Sequence, residues 1–184
     1  MDDEKVIGIL EDAIKQFQAE DSWLLDNNLS EQSMSHKLAE HIQKHFVEYN
    51  YDVDCEYNGD VDNESGRKRI SFLLCRLAEI GLLSSPTGPL EDELIQRAVF
   101  PDIIVHKRGN NENNLLVIEV KKSSSSVPFH FDQLKLQAYT STENENHLNY
   151  QLGVFLELNE ECCKISCYKD GYKFNNSWHI ANNL

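Results

Sequence analysis

Apolar residues recur at helical spacing over residues 3–20, where Val6, Ile9, Leu10, Ala13, Ile14 and Phe17 form one stripe. A polar, Asn-rich stretch over 21–30 follows, with a Trp23-Leu24-Leu25 patch inside it. Ser30 stands where an N-cap would, with polar Gln32 and Ser33 in the first turn. The helix it starts is expected to run to about Tyr49, burying Met34, Leu38, Ile42 and Phe46. Residues 51–57 alternate and predict a strand, turned by Asn58 and Gly59. A polar loop over 60–66 leads into 67–80. There Ile70, Leu73, Leu74, Leu77 and Ile80 fit the helical period and predict a helix ended by Gly81.

The second half reads as strands around one helix. Residues 84–89 predict a loop and 90–98 a short helix. Residues 103–106 and 115–121 are apolar strand runs, joined by a Gly- and Asn-rich hairpin tip over 109–114. A serine run at 123–126 and Pro128 precede a helix over about 132–142, with Leu134, Leu136, Ala138 and Tyr139 along it and Asp132 as its N-cap. Residues 150–158 and 164–168 predict two further strands, turned at 159–161. The order of the main elements is helix, strand, strand, strand, helix, strand, strand. It predicts a mixed α/β sheet flanked by helices.

Composition narrows the class. A chain of 184 residues suits a single compact domain overall, with residues 1–29 an N-terminal helix and linker and 30–184 the main body. No apolar run approaches the roughly 18 residues of a membrane span. The N-terminus has no signal-peptide pattern, so a cytoplasmic protein is expected. Five cysteines, three of them in one strand-like segment, fit reduced thiols rather than a zinc site or a disulfide framework. The formal net charge is -14, from 31 acidic and 17 basic side chains. Such acidity opposes extensive phosphate binding, so any nucleic-acid contact is expected in a small basic cleft, or with help from a homodimer mate or a protein partner.

Candidate chemistry lies at Pro101-Asp102 and at Glu119-Val120-Lys121, each set in an apolar strand. Two carboxylates and a lysine on adjacent strands suit a magnesium-dependent phosphodiester hydrolase. The alternation of a strand puts Glu119 and Lys121 on one face and Lys122 on the other.

These residues resemble the restriction-endonuclease-like superfamily, whose signature is written PD-(D/E)XK. The likeness is to small standalone members, and it covers residues 30–158. It includes Ser-His-Lys-Leu-Ala at 35–39, Asp-Cys-Glu-Tyr-Asn at 54–58, Phe-Pro-Asp-Ile-Ile-Val-His at 100–106, Asn-Leu-Leu-Val-Ile-Glu-Val-Lys-Lys at 114–122 and Asp-x-x-x-Leu at 132–136. The resemblance implies a restriction-endonuclease-like mixed β-sheet flanked by helices. It implies Mg2+, with Mn2+ as a substitute, held by Asp102, Glu119 and the main-chain carbonyl of Val120. Lys121 would then serve the attacking water or the phosphorane.

Related folds often take one more acidic ligand from the first core helix. Glu31, seven positions before Leu38, shares the buried Leu38 face, whereas Glu40 points away, so Glu31 is the preferred catalytic carboxylate. Lys122, Lys135, His36 and Gln133 are the candidate nucleic-acid contacts. Residues 133–139 lack a clean Gln-x-x-x-Tyr pattern, which argues against the exonuclease-like branch. The expected activity is that of a DNA endonuclease or nickase. The alternatives are a non-catalytic nucleic-acid or protein binding module on a nuclease fold, and an RNA nuclease.

Overall fold

The computed structural model describes residues 1–83, 93–125, 129–142 and 146–181, apart from the side chains of 175 and 176. The expected loop at 84–89 and the start of the expected 90–98 helix lie outside the described residues.

Helix α1 (Asp3–Asp21) starts on Asp2, whose carboxylate accepts from the Lys5 amide at 2.8 Å. The Trp23-Leu24-Leu25 patch folds into a single turn, α2 (Trp23–Asp26). Helix α3 (Glu31–Phe46) starts on Ser30, whose hydroxyl accepts from the Ser33 amide at 3.1 Å. Its stripe of Met34, Leu38, Ile42 and Phe46 is fully buried together with Val6, Leu10, Ala13, Ile14 and Phe17 of α1, and Ile9 is partly buried against them.

Six strands make the main sheet, in the order β1 (Asp52–Cys55), β4 (Ile103–His106), β5 (Leu116–Lys122), β6 (Leu152–Leu158), β7 (Cys162–Lys169), β8 (Tyr172–Ala181). β5 and β6 run parallel, connected through helix α5 (His130–Thr140), and every other neighbouring pair is antiparallel. Alternation splits the sheet between two cores. Leu116, Ile118 and Val120 of β5 pack toward α1 and α3, whereas Val117 packs toward α5 with Leu136, Tyr139 and Phe155. Helix α5 lies close over β6 because Gly153 has no side chain. A Cβ there would stand 3.0 Å from Thr140 Cγ2 and 3.3 Å from Leu136 Cδ2.

Two helix expectations are corrected. Residues 67–80 divide into strand β2 (Arg69–Leu73) and the short helix α4 (Leu74–Glu79). Residues 94–98 form β3 (Leu94–Ala98), which pairs antiparallel with β2 as a separate ribbon. The apolar residues at 70, 73, 74 and 77 satisfy the helical period, but Ile70 and Phe72 also satisfy alternation. What decides is packing: both are buried in the α5-side core, and Phe72 stacks on Phe131 with ring centroids 5.5 Å apart. The last strand, β8, was not read from the sequence. Its apolar alternation is sparse, and the pairing of β7 with it is broken by a bulge between Ile165 and Cys167. The helix expected over 132–142 begins earlier, at His130, with Phe129 at its N-cap position, so Asp132 is not the cap.

All five cysteines are free thiols. No helix among the described residues is long and apolar enough to cross a membrane.

Candidate active site

The antiparallel pairing of β4 with β5 sets Ile103 opposite Ile118. It brings Asp102, just before β4, beside the C-terminal half of β5. There Asp102 Oδ2 accepts from the Val120 amide at 2.7 Å. Val120 thus meets Asp102 through its main chain, and its side chain belongs to the α1/α3 core.

Glu119 faces the other side, toward α5, and is almost completely buried at 2% exposure. Its Oε2 accepts from the Lys135 ammonium at 2.6 Å, and its Oε1 is buried with no hydrogen-bond partner among the described residues. An ionised carboxylate so placed is costly. Burial pushes the Glu119 carboxyl well above the ordinary range, and the neighbouring Asp102 and Asp132 charges add to this while Lys135 opposes it. Burial raises Asp102 in the same direction, opposed by the Val120 hydrogen bond.

Lys121 reaches past the strand end. Its ammonium lies 3.3 Å from Asp132 Oδ2 and 3.4 Å from Glu31 Oε2. Burial alone would lower the Lys121 pKa, but these carboxylates outweigh it and raise the value. Glu31 uses its other oxygen to accept from the Lys122 amide at 3.0 Å. Asp132 closes the group, its Oδ1 lying 2.8 Å from the Lys135 ammonium. The cluster is therefore a chain of alternating charges: Glu119, Lys135, Asp132, Lys121, Glu31. Four carboxylates, counting Asp102, face two ammonium groups. The formal balance is two negative charges, which adds to the burial that makes Glu119 hold its proton more tightly than usual.

The remaining sequence candidates lie around this chain. The Lys122 ammonium turns to the opposite side, donating to Asn28 Oδ1 and the Leu29 carbonyl, both at 2.8 Å, so it ties the end of α2 to β5. Lys135 is largely covered, with 12% of its side chain exposed, and offers little surface to a nucleic acid. His36 is exposed and lies 3.2 Å from Glu40, which Lys37 also holds at 2.8 Å. Glu40 therefore belongs to a surface cluster on α3. Gln133 is half-buried on α5, and its amide donates to the Phe129 carbonyl. Asp132 was missed as a site residue. Its position in the first turn of α5 suggests a cap; Lys135 is its i,i+3 neighbour on the helix, and the tertiary fold brings Lys121 to it from β5.

A cleft of about 670 Å³ opens beside this cluster, lined by Glu31, Gln32, His36, Cys55, Glu56 and Asp102 among others. Glu56 takes a left-handed φ of 50° and accepts from Gln32 Nε2 at 2.9 Å, while its amide donates to the Asp102 carbonyl at 3.3 Å. This strained residue helps to seat Asp102. Burial pushes the Cys55 thiol up to about 11, so it lines the cleft as a neutral group.

Among the described residues, no group of three or more His, Cys, Asp or Glu side chains has the geometry of a metal centre. No protein-family model matches this chain, and neither does any curated protein or solved structure.

Proposed function

We propose that this chain is a divalent-metal-dependent phosphodiester hydrolase of the restriction-endonuclease-like type, acting on DNA as an endonuclease or nickase. The observation that carries the reading is the buried Glu119 Oε1, a carboxylate oxygen without a partner, in a cluster whose formal excess is two negative charges. An oxygen-only donor set with that excess suits one hard divalent cation. The fold is compatible with it: with the β2–β3 ribbon set aside, α3, β1, β4, β5, α5, β6 and β7 follow the order that the apolar pattern predicts, a mixed α/β sheet flanked by helices.

Asp102 and Glu119 would hold Mg2+ or Mn2+, with the Val120 carbonyl as a further oxygen. When bound, the ion supplies Lewis acidity toward the scissile phosphate and its attacking water. The protein's own groups do the rest. The Val120 amide and Glu56 fix Asp102. Lys135 balances half of the Glu119 carboxylate. Lys121, held between Asp132 and Glu31, presents a positive charge for the developing phosphorane.

Glu31 holds Lys121 and the end of β5 together, whereas Glu40 lies in a surface cluster. Glu31→Gln should therefore reduce metal-dependent cleavage by about tenfold or more, the loss of a hydrogen bond to a charged group being about 1.5–3 kcal/mol. Glu40→Gln should change it little. Initial rates of both variants under identical Mn2+ compare them, and a larger effect of Glu40→Gln would reverse the assignment.

The reading itself is tested by incubating the protein with supercoiled, linear, single-stranded and branched DNA and with RNA, in Mg2+, Mn2+ or EDTA. Cleavage of DNA that EDTA stops is the expected result. Cleavage confined to RNA would change the substrate. Binding without cleavage would favour the second reading, a non-catalytic module, for which the acidity of the chain and the pairing of its site lysines with its own carboxylates also speak.

A further inference from the structure

We infer that the Lys135 ammonium is a resident cation of this site, competing with a divalent ion for Glu119 and so setting how tightly that ion is held. The inference rests on the hydrolase reading above and adds a control on its metal.

Three observations carry it. First, the Lys135 ammonium lies 2.6 Å from Glu119 Oε2 and 2.8 Å from Asp132 Oδ1, a bridging position between two carboxylates. Second, Glu119 is 2% exposed and its Oε1 lacks a partner, so an ion bound there would share one carboxylate with the ammonium. Third, the other ammonium of the cluster pairs with Asp132 and Glu31 instead, which leaves Glu119 to Lys135.

Like charges on the two oxygens of one buried carboxylate repel strongly, because little water is present to screen them. Lys135 cannot easily withdraw. Asp132, one helical turn before it, holds the same ammonium, and the Phe131 ring lies 5.7 Å from it. The metal-free protein is thus supplied with a cation of its own, and a divalent ion would bind only by working against it. The consequence is a metal threshold: loose binding of Mg2+ or Mn2+, adjustable at a residue that contacts neither the ion nor the phosphate.

The test is calorimetric titration of Mn2+ into the full chain and into its Lys135→Met and Lys135→Arg variants, at one pH and ionic strength. Thermal unfolding with and without Mn2+ runs alongside. Lys135→Met keeps the length of the side chain and removes its charge. It should bind Mn2+ at least about tenfold more tightly, a change of about 1.4 kcal/mol. Lys135→Arg keeps the charge and should bind like wild type. The rise in Tm on adding Mn2+ should be larger in Lys135→Met, because its metal-free form leaves Glu119 without a counter-charge.

Equal or weaker binding by Lys135→Met would overturn the inference and leave the hydrolase reading in place. Binding by Lys135→Met but not by wild type would support it in its strongest form. No binding by either protein would remove the metal reading and the inference with it. If Lys135→Met is unfolded without metal, refolding by Mn2+ below the wild-type Kd supports the inference, and failure to refold overturns it.

Discussion

Replacing Asp102 with asparagine is expected to abolish Mn2+ binding and to lower metal-dependent cleavage by about 10³-fold or more, while the fold survives. The amide oxygen of asparagine can still accept from the Val120 amide, as Asp102 Oδ2 does at 2.7 Å, so the local backbone keeps its partner. What disappears is one of the two carboxylate charges that would hold the ion. The several kcal/mol supplied by a Lewis-acid ion then go with it, and each 1.36 kcal/mol is tenfold in rate.

Stability should move the other way. The Asp102 pKa is raised in the folded protein, chiefly by burial, so the native state holds that proton more tightly than the unfolded chain does. The associated stability is fully present below the ordinary carboxylate pKa of about 3.9. It is lost as pH rises through the higher folded value. Asp102→Asn removes the titration. Its Tm should equal or exceed that of wild type at pH 8, and the gap should shrink as pH falls through that window. Calorimetric titration and pH-dependent melting check both halves. Unchanged Mn2+ affinity in the folded variant would eliminate Asp102 as a ligand.

The parts of the site that the sequence revealed are those set by local rules. Asp102 stands at the entry to one apolar strand and Glu119 within another, and alternation alone places Glu119 and Lys121 on the face opposite Lys122. The structure puts Lys121 against Asp132 and Lys122 against Asn28 and Leu29. The helical wheel likewise separates Glu31, which meets the β5 end, from Glu40, which meets His36 and Lys37 at the surface. The parts it concealed depend on distant partners. Asp132 reads as a cap until the helix is seen to start at His130, and its two lysines come from β5 and from the next turn of α5. Lys135 reads as a nucleic-acid contact, yet α5 lies close over the sheet at Gly153 and its ammonium is set on Glu119. The 67–80 segment carries two periods at once, and only the packing of Ile70 and Phe72 against the α5 side chooses the strand.

Lys121→Met is expected to lower cleavage by about 10²–10³-fold, the usual loss when one donor to a developing anion is removed. Mn2+ binding should stay as tight as in wild type or tighten. The reason lies in what Lys121 touches. Its ammonium is held by Asp132 at 3.3 Å and by Glu31 at 3.4 Å, and by neither of the proposed ligands Asp102 and Glu119. Those carboxylates raise its pKa above the ordinary lysine value against the effect of burial. At neutral pH it is therefore a fixed cation and a poor general base, suited to stabilising charge on a phosphate. Methionine keeps the length of the stem and removes the charge, so the packing at the strand end is largely retained.

Lys122→Ala is the control, since that ammonium points to the opposite side and ties down the end of α2. It should cost about 1 kcal/mol of stability, the worth of a typical hydrogen bond, and change cleavage less than about tenfold. Single-turnover cleavage and Mn2+ titration on both variants separate the cases. If Lys122→Ala were the more damaging change to cleavage, the catalytic face of β5 would be the one turned toward α3. If Lys121→Met lost Mn2+ binding together with cleavage, Lys121 would be supporting the ion's ligands rather than the phosphate.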